Sequence, residues 1–258
     1  MLSIDEILAQ GLTRSQSTRY EDTGFIKPLT ALIDALNTEA DLNTAGVAFH
    51  QSRLQGLLQN RKALEDWTRE HPEIAEEILL APIVIVGLPR TGTTLLHRTI
   101  ATDTGLMAPL WYEVRQPAPI DMNFVSDDGR IAIAEAEVDA MLAAMPGLAA
   151  IHPMDAVAPD EEIMLLEHSF ISTVPECYAS IPKYGEALYA QDPSASYDYL
   201  YKMLQFLQWQ KRHKGELGQR WLLKTPHHLH YPQQLFQTFP DAVVIQTHRH
   251  PIEVMPSY

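Results

Sequence analysis

Residues 82–96, PIVIVGLPRTGTTLL, decide the fold of this 258-residue chain. The stretch opens on a short, continuous β-branched run between a proline and a glycine, which is typical of a strand that is buried on both faces. The glycine-rich loop that follows leads into a predicted helix over residues 94–102. Strand, glycine loop and helix in this order predict the first unit of a parallel sheet.

Short apolar runs that predict strands recur later in the chain, between segments with the apolar spacing of helices. Residues 220–224 and 242–246 predict two further buried strands. Residues 109–119 contain three prolines and are predicted to form an irregular loop that returns toward the glycine loop. Apolar residues at three-and-four spacing predict the remaining helices, which are residues 26–39, 45–70, 129–145, 160–171, 194–211 and 231–238.

Strands that alternate with helices predict an α/β fold. We expect a P-loop-type parallel sheet flanked by helices in a domain over residues 81–258, preceded by a helical N-terminal region over residues 1–80. The chain ends at Tyr258, where another helix should follow a strand. We therefore expect that the C-terminal part of the domain is missing.

The composition argues against several classes of protein. The single cysteine, Cys177, cannot form an intramolecular disulfide. The longest apolar stretch, residues 78–88, is interrupted by Pro82 and is shorter than the roughly 18 residues that suggest a membrane span. Asp5 and Glu6 stand near the N-terminus, where a secretory signal would have a basic segment. We expect a cytoplasmic protein without a membrane span.

The charge is negative overall but unevenly distributed. A net charge of −14 argues against a nucleic-acid partner, because binding to the phosphate backbone depends on clustered Lys and Arg. Residues 202–250, however, carry seven Lys and Arg against Glu216 and Asp241. Such a basic segment is either a solvated surface or the lining of a site for a small anion.

Residues 87–94, GLPRTGTT, have the glycine spacing of a phosphate-binding loop. Inward-pointing amides, the N-terminus of the next helix and the threonine hydroxyls would together favour an anion. The loop departs from that of nucleotide hydrolases, since Thr93 stands where their lysine follows the second glycine. The two later strands lead into Lys224 and Arg249 rather than into the aspartate that organises Mg²⁺. The missing lysine and the missing aspartate therefore argue against ATP hydrolysis.

Three segments carry a family resemblance. Residues 87–96 resemble the 5′-phosphosulfate loop of sulfotransferases that use 3′-phosphoadenosine 5′-phosphosulfate (PAPS). Residues 247–257 are similar to the 3′-phosphate motif of that family, in which a serine follows an arginine eight positions later, although His250 replaces the usual Asp. Residues 221–229, WLLKTPHHL, are similar to a segment of the bacterial members. The resemblance covers residues 82–258, is closest to bacterial small-molecule sulfotransferases and extends more distantly to protein-tyrosine sulfotransferases.

The resemblance implies a reaction and the residues that bind its donor. The protein would move a sulfuryl group from PAPS, its co-substrate, to a hydroxyl group of a small-molecule acceptor, in line and without a metal ion. Arg90 would offset the charge that develops on the leaving phosphate. The 5′-phosphosulfate would lie against Arg90, Thr91, Gly92, Thr93 and Thr94, and the 3′-phosphate against Arg249 and Ser257.

Two residues are candidates for the base that takes the acceptor proton. Glu113 stands where the protein-tyrosine branch has a catalytic glutamate. His228, with His227 as its alternative, follows Lys224 and Thr225 much as a catalytic histidine follows Lys-Thr in the cytosolic branch. An imidazole titrates in the required range without adjustment, whereas a glutamate must be tuned toward neutrality. The sequence leaves both open.

Two other functions are weighed against sulfuryl transfer. The first is a P-loop kinase that uses ATP and Mg²⁺, and the second is a non-catalytic nucleotide-binding or interaction module. A metal site built from the histidines at 227, 228, 230, 248 and 250 is not expected. Adjacent residues on a helix diverge by about 100°, and no Cys or Asp accompanies these histidines at ligand spacing.

Overall fold

The computed structural model describes residues 1–15, 17–151 and 153–254. The chain forms two compact units, of which the first contains residues 1–75 and 163–203 and the second contains residues 76–162 and the chain from residue 204 onward. A segment from the middle of the predicted α/β domain thus belongs to the first unit. The division into domains at residues 80 and 81 stays a prediction.

In the described ranges the structure has twelve α-helices and four strands. The helices are α1 (Ile4–Gly11), α2 (Ile26–Thr38), α3 (Thr44–Glu70), α4 (Thr93–Ile100), α5 (Trp111–Arg115), α6 (Arg130–Ala144), α7 (Leu148–Ile151), α8 (Ile163–Leu166), α9 (Pro182–Ala190), α10 (Ser194–Lys214), α11 (Pro232–Thr238) and α12 (Pro251–Val254). The strands are β1 (Ile83–Val86), β2 (Leu106–Met107), β3 (Arg220–Lys224) and β4 (Val243–Gln246). None of these helices is both long enough and apolar enough to cross a membrane.

The predicted strands and most of the predicted helices form, but the prediction that the strand over residues 242–246 is buried is wrong. Among the described strands β4 pairs only with β1, and its Val243 is 48% exposed. The three predicted strands correspond to β1, β3 and β4, and six of the seven predicted helices form within a few residues of their predicted ends. The short strand β2 was not predicted, because its two residues show no period of their own. The helices α1, α7 and α9 were not predicted either.

The prediction that residues 109–119 lack regular structure is wrong, because α5 lies within them. The prolines stand on either side of this short helix rather than inside it. The Glu113 carboxylate accepts the backbone N–H of Leu110 at 2.9 Å and so caps the start of the helix. A one-turn helix that is capped in this way tolerates flanking prolines.

The prediction of a helix over residues 160–171 is wrong in its length. Only α8 is α-helical, and it passes into a 3₁₀ turn at Glu167–Ser169. Phe170 then ends the turn with a φ of 59°, in the left-handed region that a continuing helix cannot enter. The acidic residues at the predicted start, Glu161 and Glu162, do not begin a helix but bind partners in the second unit.

The first unit has an apolar core. Ile7, Leu29 and Leu58, on α1, α2 and α3, are fully buried in one cluster that also contains Phe170. Arg53 on α3 forms a salt bridge with Glu167. The later segment of the chain is therefore fixed to α3 by both apolar and ionic contacts.

The second unit contains one parallel sheet with the strand order β2-β3-β1-β4. Ile85 of β1 lies beside Lys224 of β3 on one side and beside Ile245 of β4 on the other. Because all strands run in the same direction, their carboxyl ends meet at one edge of the sheet. The residues that follow β1, β3 and β4 are gathered at this edge.

Candidate active site

The glycine loop lies between β1 and α4, and unusual backbone conformations shape it. Arg90 has a φ of 68° and Gly92 a φ of 91°, both in the left-handed region. That region is uncommon for a residue with a side chain, and loops that include it can form the concave rows of amides that bind anions. Arg90 itself is exposed. Thr93 begins α4, so the positive end of this helix faces the loop.

Hydroxyl groups join the glycine loop to the end of β4. Thr91 Oγ1 donates to the carbonyl oxygen of Leu88 at 2.6 Å and lies 2.7 Å from Thr247 Oγ1. The backbone N–H of Thr247 donates to the carbonyl oxygen of Val86 at 2.9 Å. Gly87 permits this approach, since a Cβ atom there would lie 2.1 Å from Thr247 Oγ1. The loop and the start of the second predicted anion motif are thus in direct contact.

Lys224, the last residue of β3, brings a buried ammonium group to the first turn of α4. Its Nζ lies 3.4 Å from Thr94 Oγ1 and forms a salt bridge with Glu161. The Glu161 side chain is 21% exposed. Burial raises the pKa of Glu161, and the pairing with Lys224 offsets this effect only in part. The edge of the sheet therefore carries a carboxylate that binds protons more readily than an ordinary glutamate.

His228 forms a buried pair with Glu162. Its Nε2 lies 2.8 Å from Glu162 Oε1, and both side chains are 0% exposed. The other carboxylate oxygen of Glu162, Oε2, accepts the backbone N–H of Lys224 at 2.7 Å. The His228 imidazole, a candidate base, is therefore closed off from solvent, and its Nε2 is paired with a carboxylate.

The other candidate base, Glu113, lies in a cluster of buried charges between α5 and α10. Its Oε1 accepts a hydrogen bond from Lys211 Nζ at 2.8 Å and another from Tyr112 O–H at 3.3 Å. Its Oε2 caps α5 through Leu110, as described above. These contacts give the carboxylate a structural task in α5. Its assignment as the base stays a prediction.

Arg249 follows β4 at the same edge of the sheet as the glycine loop. Its side chain is 51% exposed, and its Nε donates to Glu253 Oε2 at 2.9 Å. His250, which replaces the usual Asp, instead accepts the backbone N–H of Ile252 on its Nδ1 at 3.2 Å, at the start of α12. Ser257 lies outside the described residues. Its predicted contact with the 3′-phosphate stays a prediction.

The structure thus brings most of the predicted site together. The glycine loop, Lys224 with His228, and Arg249 all follow strands that end at one edge. Sequence reasoning did not find Glu161, Glu162 or Thr247 as site residues. The sequence could have indicated Thr247, since it directly follows the predicted strand over residues 242–246, whereas no local pattern indicated the two glutamates. In the described part of the chain, no three His, Cys, Asp or Glu side chains are grouped as ligands for a metal ion.

Comparisons with known proteins show the family and the fold of the chain. The family described as the sulfotransferase family matches residues 82–258. The chain is similar to the crystal structure of sulfotransferase STF1 from Mycobacterium tuberculosis H37Rv, with 29% identity and a TM-score of 0.83 over 98% of this chain and 69% of that one. Sulfotransferase STF9 from Mycobacterium avium has the same fold, with 23% identity and a TM-score of 0.85 over 100% of this chain and 65% of that one. The chain therefore spans about two thirds of the length of each solved structure. No curated protein matches it.

Proposed function

Because this chain belongs to the sulfotransferase family, we propose that it transfers a sulfuryl group from PAPS to a hydroxyl group of a small acceptor. The observation that carries the proposal is the contact of 2.7 Å between Thr91 and Thr247, which joins the glycine loop to the strand end that leads to Arg249. PAPS has an anionic group at each end of one nucleoside. Two anion motifs in contact at one sheet edge fit such a donor. The small acceptor and the cytoplasmic location are further parts of the proposal.

The residues at the edge fit the two ends of the donor. Arg90 and the amides of residues 91–94 would hold the 5′-phosphosulfate, and Arg249 would hold the 3′-phosphate. Arg249 already pairs with the carboxylate of Glu253 at an exposed position, so an incoming phosphate would replace one anion by another. Lys224 would supply a further positive charge beside Thr94.

Sulfuryl transfer needs positioning, charge stabilisation and a base. The acceptor oxygen attacks sulfur in line while the bond from sulfur to the 5′-phosphate oxygen breaks. The electron pair of the breaking bond stays on that phosphate, where Arg90 and Lys224 would stabilise the developing charge. The proton of the acceptor hydroxyl passes to the base. Cationic side chains would offset each negative charge of the donor in this mechanism, so the proposed mechanism includes no metal ion.

Three carboxylate or imidazole groups compete for the role of base. Glu113 and His228 are the candidates from the sequence, and both are buried in pairs. Glu161 is the candidate that the structure adds. It is partly exposed, lies beside Lys224 at the first turn of α4, and has a pKa that burial raises above the ordinary value. These properties favour Glu161 over the two buried groups.

Single substitutions separate the three bases. Glu113→Gln, Glu161→Gln and His228→Ala are each compared with the wild-type protein for transfer rate, for affinity toward adenosine 3′,5′-bisphosphate and for melting temperature. Loss of the base lowers the single-turnover rate at saturating donor by about 100-fold or more, even where the melting temperature also falls because a paired group such as Lys224 loses its carboxylate. A group with only a structural task lowers the melting temperature without a rate loss of this size. Equal and modest rate losses in all three variants would remove all three from the role.

Calorimetry tests the donor directly. We expect adenosine 3′,5′-bisphosphate to bind more tightly than ADP, with the same affinity in the presence and absence of Mg²⁺. A Mg²⁺-dependent preference for ADP together with ATP turnover would support the kinase instead. Binding of the bisphosphate without any sulfuryl transfer would support the non-catalytic module.

A further inference from the structure

Glu162 is a buried carboxylate that binds both ends of one short segment. Its Oε2 accepts the backbone N–H of Lys224 at 2.7 Å, and its Oε1 lies 2.8 Å from Nε2 of His228. The Glu162 side chain is 0% exposed. A buried carboxylate without hydrogen bonds would be strongly unfavourable, so these two contacts account for its presence.

The charge of Glu162 determines how the proton is placed on His228. Burial raises the pKa of Glu162, but the hydrogen bond from His228, the electrostatic attraction of His228 and backbone hydrogen bonds, including that from Lys224, together outweigh burial and hold the pKa below its ordinary value. An ionised carboxylate only accepts hydrogen bonds. The nitrogen that faces it must therefore donate, which places a proton on Nε2.

We propose that Glu162 is a positioning residue, whose carboxylate fixes Lys224 against the first turn of α4 and imposes the Nε2–H tautomer on His228. The part of this inference that concerns Lys224 rests on the proposed function. The part that concerns His228 does not depend on the identity of the donor. Neither part requires Glu162 to touch a substrate.

The local structure explains why fixing two points fixes the whole segment. Lys224 pairs in register with Ile85 of β1, so its backbone belongs to the sheet. Thr225 caps the following 3₁₀ turn, since its side chain accepts the backbone N–H of His227 at 3.2 Å, and Pro226 restricts the first position of that turn. Glu162 connects the sheet end to the turn. Its loss would free the turn to move relative to the Lys224 ammonium group.

The first test is NMR of the wild-type protein, which needs neither donor nor catalysis. Two-bond ¹H–¹⁵N spectra distinguish a protonated ring nitrogen from an unprotonated one, and a His228→Asn sample identifies the signals of His228. We expect a proton on Nε2 at pH 7. A neutral ring with its proton on Nδ1 would overturn the inference, even if PAPS turns out to be the donor.

The second test compares two substitutions that remove different contacts. In Glu162→Gln the amide oxygen can still accept from Lys224, but the amide N–H₂ now faces His228 and we expect the proton to move to Nδ1. Affinity for adenosine 3′,5′-bisphosphate should then stay within about twofold of wild type, because the Lys224 contact is kept. Glu162→Ala removes both contacts and should weaken binding at least about tenfold, the effect of one charge-assisted hydrogen bond.

The controls keep the outcomes separate. Glu135→Gln changes an exposed glutamate of α6 in the same unit and should alter neither readout. If Glu162→Gln retains the Nε2–H tautomer and Glu162→Ala binds like wild type, Glu162 is merely structural and the inference is wrong. If either variant fails to fold, the wild-type spectrum still decides the tautomer. If wild type does not bind the bisphosphate at all, the proposed function fails while the tautomer test stands.

Discussion

A single methyl group at Gly87 should disrupt the contact between the glycine loop and β4. In Gly87→Ala the new Cβ would lie 2.1 Å from Thr247 Oγ1, 2.9 Å from Thr91 Oγ1 and 3.1 Å from the Thr247 carbonyl oxygen. Threonine is stiff at χ1 and the carbonyl is backbone, so the strand end must move. Overpacking of this kind costs about 1–3 kcal/mol. At about 2–4 °C per kcal/mol for a unit of this size, the melting temperature should fall by about 2–12 °C.

Binding should weaken in the same variant. Displacement of Thr247 breaks its hydrogen bond with Thr91, worth about 0.5–1.5 kcal/mol, so affinity for adenosine 3′,5′-bisphosphate should fall about 2- to 10-fold. Thermal unfolding and calorimetry measure the two effects. Adding Thr247→Ala removes the closest contact and should recover part of the lost stability. Gly56→Ala is the matched control, since a Cβ there meets nothing within 4 Å inside α3 and should stabilise the helix. Wild-type stability and affinity in Gly87→Ala would refute the reasoning.

Three further predictions concern single side chains. Arg90→Ala should lower the transfer rate by about 100- to 1000-fold, as for a lost oxyanion donor, and an unchanged single-turnover rate would remove Arg90 from the site. Glu113→Gln should leave the buried Lys211 without its carboxylate and lower the melting temperature by about 6 °C or more, and a variant as stable as wild type would contradict the structural task of Glu113. Burial, and then the Lys224 charge, lowers the pKa of His97 to about 4 from its ordinary 6.5. As the pH falls, the His97 imidazole is therefore protonated in the unfolded chain before it is protonated in the folded one. The free energy of unfolding should decrease between about pH 6.5 and about pH 4, and thermal scans should show a smaller decrease in His97→Gln.

Local chemistry made much of the fold predictable. A β-branched run between proline and glycine gave β1 its type, and the short apolar runs at residues 221–223 and 243–245 did the same for β3 and β4, since such runs are typical of strands in a parallel sheet. Glycine spacing located the glycine loop, and the approach of Thr247 requires a glycine at position 87. These features depend on residues that are adjacent in the chain.

Contacts between distant residues were not predictable. Glu161 and Glu162 read as the acidic start of a helix, but their partners Lys224 and His228 lie more than sixty residues away along the chain. The local sequence around a glutamate does not show whether its side chain caps a helix or binds a residue at the end of a distant strand. Glu113 illustrates the reverse case. Its position matched a catalytic glutamate by resemblance, whereas its contacts with Lys211 and Leu110 arise from the packing of α5.

The order of the strands constrains how the protein is made. Ile85 is flanked by Lys224 and Ile245, so the binding edge joins the early part of the chain to its late part. Loops of this length must close before such contacts form, which makes the edge a late product of folding. When only the part of the chain up to the glycine loop has left the ribosome, β3 and β4 have not yet joined β1, and the proposed binding edge is incomplete. A nucleotide that binds as proposed would stabilise the fold only after β4 has docked, and it would then stabilise three strands at once.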